Sequence, residues 1–271
     1  MNFTELITKL SNDIMPNFDN EIDSRLFQFH DDVLYEKMKY GLLNGKRIRP
    51  LLAILVNKGL GTDKDPIDAA IAIELMHSLS LIHDDVIDRE ILRRGSNPFY
   101  IKYGFENTLL VADYIFGIII KIVNEYNKPE IFTALSQASV EMSRGEAREL
   151  YLTSKPRKIQ LEEYLQIINE KTASLFAASA KIGALLSKKT ELSYAMEDLG
   201  KNFGVIYQIK DDLKDIENGR TEIITFLDVD LSSLKHLVNS FEKAAENEIK
   251  LIKDKSAQTL LTEILTTLRD Y

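Results

Sequence analysis

Apolar residues recur at helical spacing along almost the whole chain, and no stretch alternates apolar and polar positions long enough to suggest a sheet. The periodicity predicts helices over 3–15, 21–43, 47–59, 66–88, 96–103, 106–126, 128–152, 160–187, 190–213 and 231–270. Turn signals fall between them: Asn44-Gly45, Gly59-Leu60-Gly61, Gly95-Ser96-Asn97-Pro98, Asn127-Lys128-Pro129, Ser154-Lys155-Pro156 and Asn218-Gly219. Thr62-Asp63-Lys64-Asp65-Pro66 supplies a capping side chain and then a proline near a first turn, a good helix start. Three segments are apolar on nearly every face: Ile67 to His83, Leu109 to Val123 and Phe203 to Ile209. Such helices are expected to be enclosed by others. The segment from Leu231 onward is more charged and amphipathic, which predicts a place at the periphery. No composition shift or flexible linker divides the chain, so the expectation is one all-α domain over residues 1–271, a large helical bundle.

Composition narrows this picture in a few respects. A chain of 271 residues can bury a substantial core without disulfides or a structural metal. There is no cysteine, which excludes thiolate metal sites and suits a reducing, cytoplasmic setting. The net charge of −8 argues against nucleic acid as a main partner. Met1-Asn2-Phe3-Thr4-Glu5 has neither the basic start nor the apolar core of a secretory signal. The most apolar run, Leu109 to Val123, is only fifteen residues long and is interrupted by Asp113 and Lys121. It is therefore read as a buried helix rather than a membrane span.

The chemistry is concentrated in two acidic motifs of one grammar, Asp84-Asp85-Val86-Ile87-Asp88 and Asp211-Asp212-Leu213-Lys214-Asp215. Each ends a strongly apolar helix. Asp84 and Asp88 share a helical face, as do Asp211 and Asp215, while Asp85 is turned by about 100°. Carboxylates so close to an apolar core need a positive partner. Magnesium suits such a site, because it takes oxygen ligands and uses one or two carboxylates together with substrate phosphates. One copy of the motif would most simply be a solvated helix face. Two copies, each followed by arginine (Arg89, Arg93, Arg94; Arg220), make coincidence the poorer explanation.

Cations accompany the clusters. Gly45-Lys46-Arg47-Ile48-Arg49-Pro50 places three of them at a helix start, where free N–H groups already favour anions. Lys46 and Arg49 are spaced to reach one anion together. Arg93-Arg94 lies just past the first motif and can either grip phosphate or neutralise the aspartates. His77 lies two turns before Asp84, on the same face. Lys171-Thr172 lies in a helical pattern, and Gln208, in an apolar turn, must find a partner.

In their order and spacing these residues resemble the trans-type isoprenyl diphosphate synthases. The matching stretches are Gly45-Lys46-Arg47-x-Arg49-Pro50, His77-x-x-Ser80-Leu81-Ile82-His83-Asp84-Asp85-x-x-Asp88 and Arg93-Arg94-Gly95. They are followed by Lys171-Thr172-Ala173-x-Leu175-Phe176 and Gly204-x-x-Tyr207-Gln208-Ile209-Lys210-Asp211-Asp212-x-x-Asp215, so the likeness covers roughly residues 38 to 220. The resemblance implies a bundle of the isoprenoid synthase type around a central apolar cavity. It implies condensation of an allylic diphosphate (dimethylallyl, geranyl or farnesyl) with isopentenyl diphosphate, magnesium as cofactor, and a homodimer. Asp84, Asp88 and Asp211 would be metal ligands, with Asp85, Asp212 and Asp215 supporting them through water or directly. Arg93 would hold the allylic diphosphate, and Lys46, Arg49, His77 and Arg94 the isopentenyl diphosphate. Lys171, Thr172 and Gln208 would face the developing carbocation and the departing diphosphate. Asp84, Asp85, Asp88, Asp211, Asp212 and Lys171 are thus the implied catalytic set.

The chain departs from the family pattern in two places. Asp215 runs straight into Ile216-Glu217-Asn218-Gly219-Arg220-Thr221, so a lysine-bearing loop is missing, with Arg220 a possible substitute. Gly145-Glu146-Ala147-Arg148-Glu149 replaces the family's usual Gly-Gln and following Asp. A growing chain would run from the first motif along its own helix. Leu79 and Ser80 are not aromatic there, while Met76, and Tyr114 or Phe116 on another helix, are candidates to close the cavity. The expectation is a product of geranylgeranyl length or longer. Two other readings stay open: a class I terpene cyclase, and a subunit of a heteromeric prenyltransferase.

Overall fold

The structure, a computed structural model, describes residues 1–42, 45–93, 95–217, 223–227 and 231–270. Thirteen α-helices run through them: α1 (Phe3–Ile14), α2 (Phe18–Leu26), α3 (Tyr35–Gly41), α4 (Ile48–Gly59), α5 (Ile67–Ile87), α6 (Phe99–Tyr103), α7 (Phe105–Asn124), α8 (Pro129–Thr153), α9 (Leu161–Ile168), α10 (Ser174–Leu185), α11 (Ser193–Glu217), α12 (Leu231–Ile249) and α13 (Lys255–Asp270). A five-residue π-helical turn, Asn169–Ala173, joins α9 to α10. Among the described residues there is no β-strand, only isolated bridges such as Thr62 with Ser187.

Burial explains which helices are central. In α10 every residue from Leu175 to Ala180 is buried, and the helix packs against α4, α8 and α11. On α5 the run from Ala69 to Met76 is buried without interruption. An apolar surface on every side leaves such helices no stable place except inside a bundle. Local signals set their ends: Asp65 Oδ1 accepts the amide of Ile67 at 3.0 Å and starts α5, one residue from the expected position. Asp88 is the residue that caps the C-terminus of α5, and α11 extends past Asp215, so both acidic motifs lie at the ends of interior helices.

Three expectations from periodicity need correction. The predicted helix 21–43 is broken: a 3₁₀ turn at Phe27–Phe29 follows α2, and Asp32 Oδ1 then accepts the amide of Leu34 at 3.0 Å. An aspartate that binds its own downstream backbone competes with helical bonding, and the segment between α2 and α3 is not α-helical. The predicted helix 231–270 is two helices. Ile252 turns inward and is buried between them, while Asp254 Oδ1 caps the Ala257 amide at 2.8 Å to start α13. Finally, Leu109 to Val123 is not enclosed within this chain. In α7 one face is buried through Val111, Ile115, Ile118, Ile119 and Ile122, but Phe105, Leu109, Leu110, Phe116 and Ile120 are exposed. The cause is the packing of α7, which α5 covers from one side only in this region.

Candidate active site

The turn before α4 begins the site. Arg47 has a left-handed backbone (φ 58°), a conformation uncommon outside glycine. It is held there by ion pairs to Glu74 at 2.6 Å and Asp19 at 2.9 Å, and by a bond to the Leu42 carbonyl at 3.2 Å. Gly45 lets the ion pair sit close to the backbone, since a Cβ there would lie 2.5 Å from both Glu74 Oε1 and Arg47 Nη1. This anchoring uses up Arg47 and leaves its neighbours to face a pocket. Arg49 reaches His77, Nη1 to Nε2 at 3.3 Å, and stacks its guanidinium over Phe176 at 4.3 Å. Two residues expected to share one anion are thereby brought together.

That pocket has a volume of about 430 Å³, and its walls include Lys46, Arg49, His77, Asp84, Arg93, Lys171, Thr172, Gln208 and Asp211. The first aspartates of the two motifs, 127 residues apart in sequence (211 − 84), therefore line the same space. A second cavity of about 370 Å³ adjoins it, sharing Ser80, Asp84, Met142 and Lys171. Beyond these residues its walls are mainly apolar or small: Met76 and Leu79 of α5, Ala112 and Phe116 of α7, Ala147 and Leu150 of α8. Of the expected limiting residues, Met76 and Phe116 do line this cavity. Tyr114 does not; it packs edge-on against Phe29, ring centres 5.9 Å apart.

The six aspartates divide into two kinds. Burial pushes the Asp84 carboxyl up to about 7, with Lys171 opposing and Glu146 and Asp88 adding to the rise. Asp88 is exposed and Asp215 half-buried, one turn beyond the aspartate that faces the pocket in each case. Asp85 and Asp212, by contrast, are buried and turned away from it. Asp85 Oδ1 is bound by Arg93 Nε at 2.5 Å. Asp212 accepts from Tyr164 Oη at 2.7 Å and from Gln208 Nε2 at 2.5 Å. The 100° turn between successive helical residues is the reason. Asp85 and Asp212, expected to support the metal through water or directly, are here engaged by side chains instead, Asp85 by Arg93 and Asp212 by Tyr164 and Gln208. Among the described residues no three carboxylate or imidazole groups converge closely enough to hold an ion by themselves.

Lys171 and Thr172 lie on the π-turn, a rare form that is frequent at functional sites. Thr172 donates to Gln208 Oε1 at 2.6 Å, which continues the chain from Tyr164 and Asp212. Lys171 Nζ lies 2.7 Å from Glu146 Oε2 and 2.8 Å from Glu149 Oε2. Burial alone would lower its pKa, but Glu149, Glu146 and Asp84 outweigh that and hold it above the ordinary lysine range. Glycines allow the turn to be pressed from two sides. A Cβ on Gly145 of α8 would lie 2.5 Å from the Lys171 amide nitrogen, and one on Gly204 of α11 would lie 2.5 Å from Ala173 Cα. Gly145→Ala and Gly204→Ala are each expected to cost about 1–3 kcal/mol. A melting temperature lower by several degrees would check this, and an unchanged one would refute it.

Arg94, Asn218, Gly219, Arg220 and Thr221 lie outside the described residues, and with them the phosphate role expected for Arg94 and the substitution expected of Arg220. Sequence reasoning passed over Glu74 and Tyr164. Glu74 carried a usable signal, a charge inside an apolar helix that must be paired. Tyr164 carried none, because its contact with Asp212 depends on how α9 packs on α11. Among the described residues no helix is long and apolar enough to cross a membrane.

Comparison with known proteins gives this geometry its context. The chain is 31% identical over 242 residues to the geranylgeranyl diphosphate synthase of Methanosarcina mazei, covering 85% of this chain and 74% of that one. Its fold is similar to that of the geranylgeranyl pyrophosphate synthetase from Pyrococcus horikoshii Ot3, with a TM-score of 0.85, 24% identity and 98% of both chains covered. A polyprenyl synthase from Caulobacter crescentus CB15, solved with calcium and isoprenyl diphosphate, is similar in fold at a TM-score of 0.83 and 23% identity, covering 99% and 98%. The polyprenyl synthetase family model matches residues 27–256, and the chain belongs to that family, as a transferase of the trans-isoprenyl diphosphate synthase class.

Proposed function

We propose that the polar pocket binds the two diphosphates of the condensation, and that the adjoining cavity takes the growing prenyl chain to geranylgeranyl length or longer. One observation carries this reading: Asp84 and Asp211 line a single pocket with Lys46, Arg49, His77 and Lys171, and that pocket shares Asp84 and Lys171 with an apolar cavity.

The donor set fits magnesium. It offers carboxylate oxygens and no thiolate, and few protein groups converge, as suits an ion that completes its shell with phosphate and water. Asp84 and Asp211 would hold it, with Asp88 and Asp215 supporting from the next turn. When bound it neutralises charge on the allylic diphosphate and makes that group easier to expel. Lys46, Arg49 and His77 then orient isopentenyl diphosphate. As the allylic carbon–oxygen bond breaks, its electron pair leaves with the diphosphate, and the isopentenyl double bond attacks the carbon left behind. A proton then passes from the carbon beside the new cationic centre to the diphosphate just released. The mainly apolar walls of the cavity disfavour water, which would otherwise quench the cation.

The raised pKa of Asp84 predicts a pH effect. Its folded-state value of about 7 exceeds the ordinary 3.8, so the folded chain holds an extra proton between those values. The stability linked to that proton is present at acid pH and lost as pH rises towards 7. Metal binding needs the ionised form and must release the proton. The magnesium-induced rise in melting temperature is therefore expected to grow between pH 6 and 8. Its pH dependence should vanish in Asp84→Asn, and a response flat with pH in the parent chain would contradict the assignment.

A homodimer and a cytoplasmic setting belong to the same proposal. Phe105, Leu109, Phe116 and Ile120 form one exposed apolar stripe on α7, and Phe132, Val140 and Leu150 form another on α8. The cavity opens onto this face through Phe116 and Leu150. A second copy seated there would cover an apolar area that solvent otherwise wets. Leu109→Glu combined with Val140→Glu is expected to give monomers by light scattering, and a dimer that persists would exclude this face.

The deciding experiment supplies purified protein with magnesium, isopentenyl diphosphate and a series of allylic primers, followed by chromatography. Elongated prenyl diphosphates of twenty carbons or more are the expected result. Cyclic hydrocarbon would indicate a cyclase, activity only with a partner a subunit, and farnesyl diphosphate alone would remove the length assignment.

A further inference from the structure

The departure at Gly145-Glu146-Ala147-Arg148-Glu149 falls at the junction of the two spaces. Glu146 is 9% exposed and lines the apolar cavity beside Asp84 and Lys171, whereas Glu149 reaches Lys171 from outside the cavity wall. Gly145 holds α8 against the backbone of Lys171, which fixes the separation of the two side chains. The local charge is therefore unusual. One ammonium faces two carboxylates, so the head of the cavity carries about one excess negative charge before Asp84 is counted. Burial, with Glu149 and Asp88 adding to it, pushes the Glu146 carboxyl up, while Lys171 opposes the rise.

The position matters because of what forms there. Resting on the reading above, the allylic carbon would lie where the diphosphate pocket meets the cavity, close to Asp84, Glu146 and Lys171. A bare ammonium at that point would repel a carbon becoming positive. A carboxylate fixed on the cavity side would attract it, and charges act strongly where water is scarce. We infer that Glu146 is a further catalytic residue of this chain, its carboxylate facing the allylic carbon and stabilising the positive charge as the carbon–oxygen bond breaks. Lys171 and Glu149 are the groups that position it.

The test separates charge from tethering. Glu146→Gln keeps the size and can still accept a bond from Lys171, but has no charge. Its turnover is expected to fall about tenfold or more with the KM values for both substrates little changed, as for an interaction made chiefly in the transition state. Glu146→Asp should recover part of the loss. In parallel, binding of a farnesyl-length ammonium analogue and of its neutral isostere is measured with magnesium and inorganic pyrophosphate. The parent chain should prefer the ammonium, and Glu146→Gln should lose about tenfold of that preference at an unchanged circular dichroism spectrum. Unchanged turnover and preference would overturn the inference. So would a higher KM for the allylic substrate at constant kcat, which would leave Glu146 only a tether for Lys171. Elongation by the parent chain reports on the proposed function separately, because the binding arm needs no turnover.

Discussion

Asp84→Ala and Asp211→Ala are each expected to lower turnover by a hundredfold or more while leaving helicity intact. The magnitude follows from charge stabilisation of several kcal/mol at the departing diphosphate, each ~1.4 kcal/mol being a factor of ten in rate. The two substitutions should not be alike in stability. Asp84 is held against burial that pushes its carboxyl up to about 7, so removing it relieves a cost at neutral pH and the variant should melt no lower than the parent. Asp85→Ala and Asp212→Ala are expected to behave differently. They would leave Arg93, and Tyr164 with Gln208, without their present partners, so melting temperature should fall along with activity. Steady-state kinetics with melting curves on all four variants check this. Near-normal turnover in either Asp84→Ala or Asp211→Ala would remove the metal assignment.

Leu79→Phe is expected to shorten the product to fifteen carbons or fewer. Leu79 is buried on α5 just over one turn before Asp84, and it lines the cavity opposite the small residues Ala112 and Ser143. A ring at that level would close the space ~7.5 Å along the helix below the metal-binding aspartate. Met76→Ala, one turn deeper, should have the reverse effect and admit longer chains. Because neither residue touches the polar pocket, the KM for isopentenyl diphosphate should hardly change in either variant. Product chromatography decides the matter, and a Leu79→Phe enzyme with the parent's product profile would mean that the chain runs elsewhere.

Much of this was legible before any coordinates. Asp84 and Asp88, or Asp211 and Asp215, share a face by the repeat of the helix alone, and the burial of α5 follows from apolar residues on every side. Helix ends were found where a capping group or a proline stands, as at Asp65 and Pro66. They were missed where the stop lies in a side chain's choice of partner, as at Asp32 and Asp254. Local patterns also could not tell that α7 leaves a stripe from Phe105 to Ile120 uncovered, because periodicity reports apolar faces but not the neighbours available to cover them.

The linear chain by itself determined the helical class, the family, and which residues carry charge at the ends of apolar helices. Those properties rest on spacing and side-chain type, which are local. Tertiary packing decided which carboxylate of each motif faces the pocket, that Arg47 is spent on Glu74 and Asp19, and that Glu146 and Glu149 meet Lys171 on a π-turn. Such partnerships join residues from tens to more than a hundred positions apart. They depend on how closely Gly145 and Gly204 let three helices approach, a distance that no short-range pattern encodes.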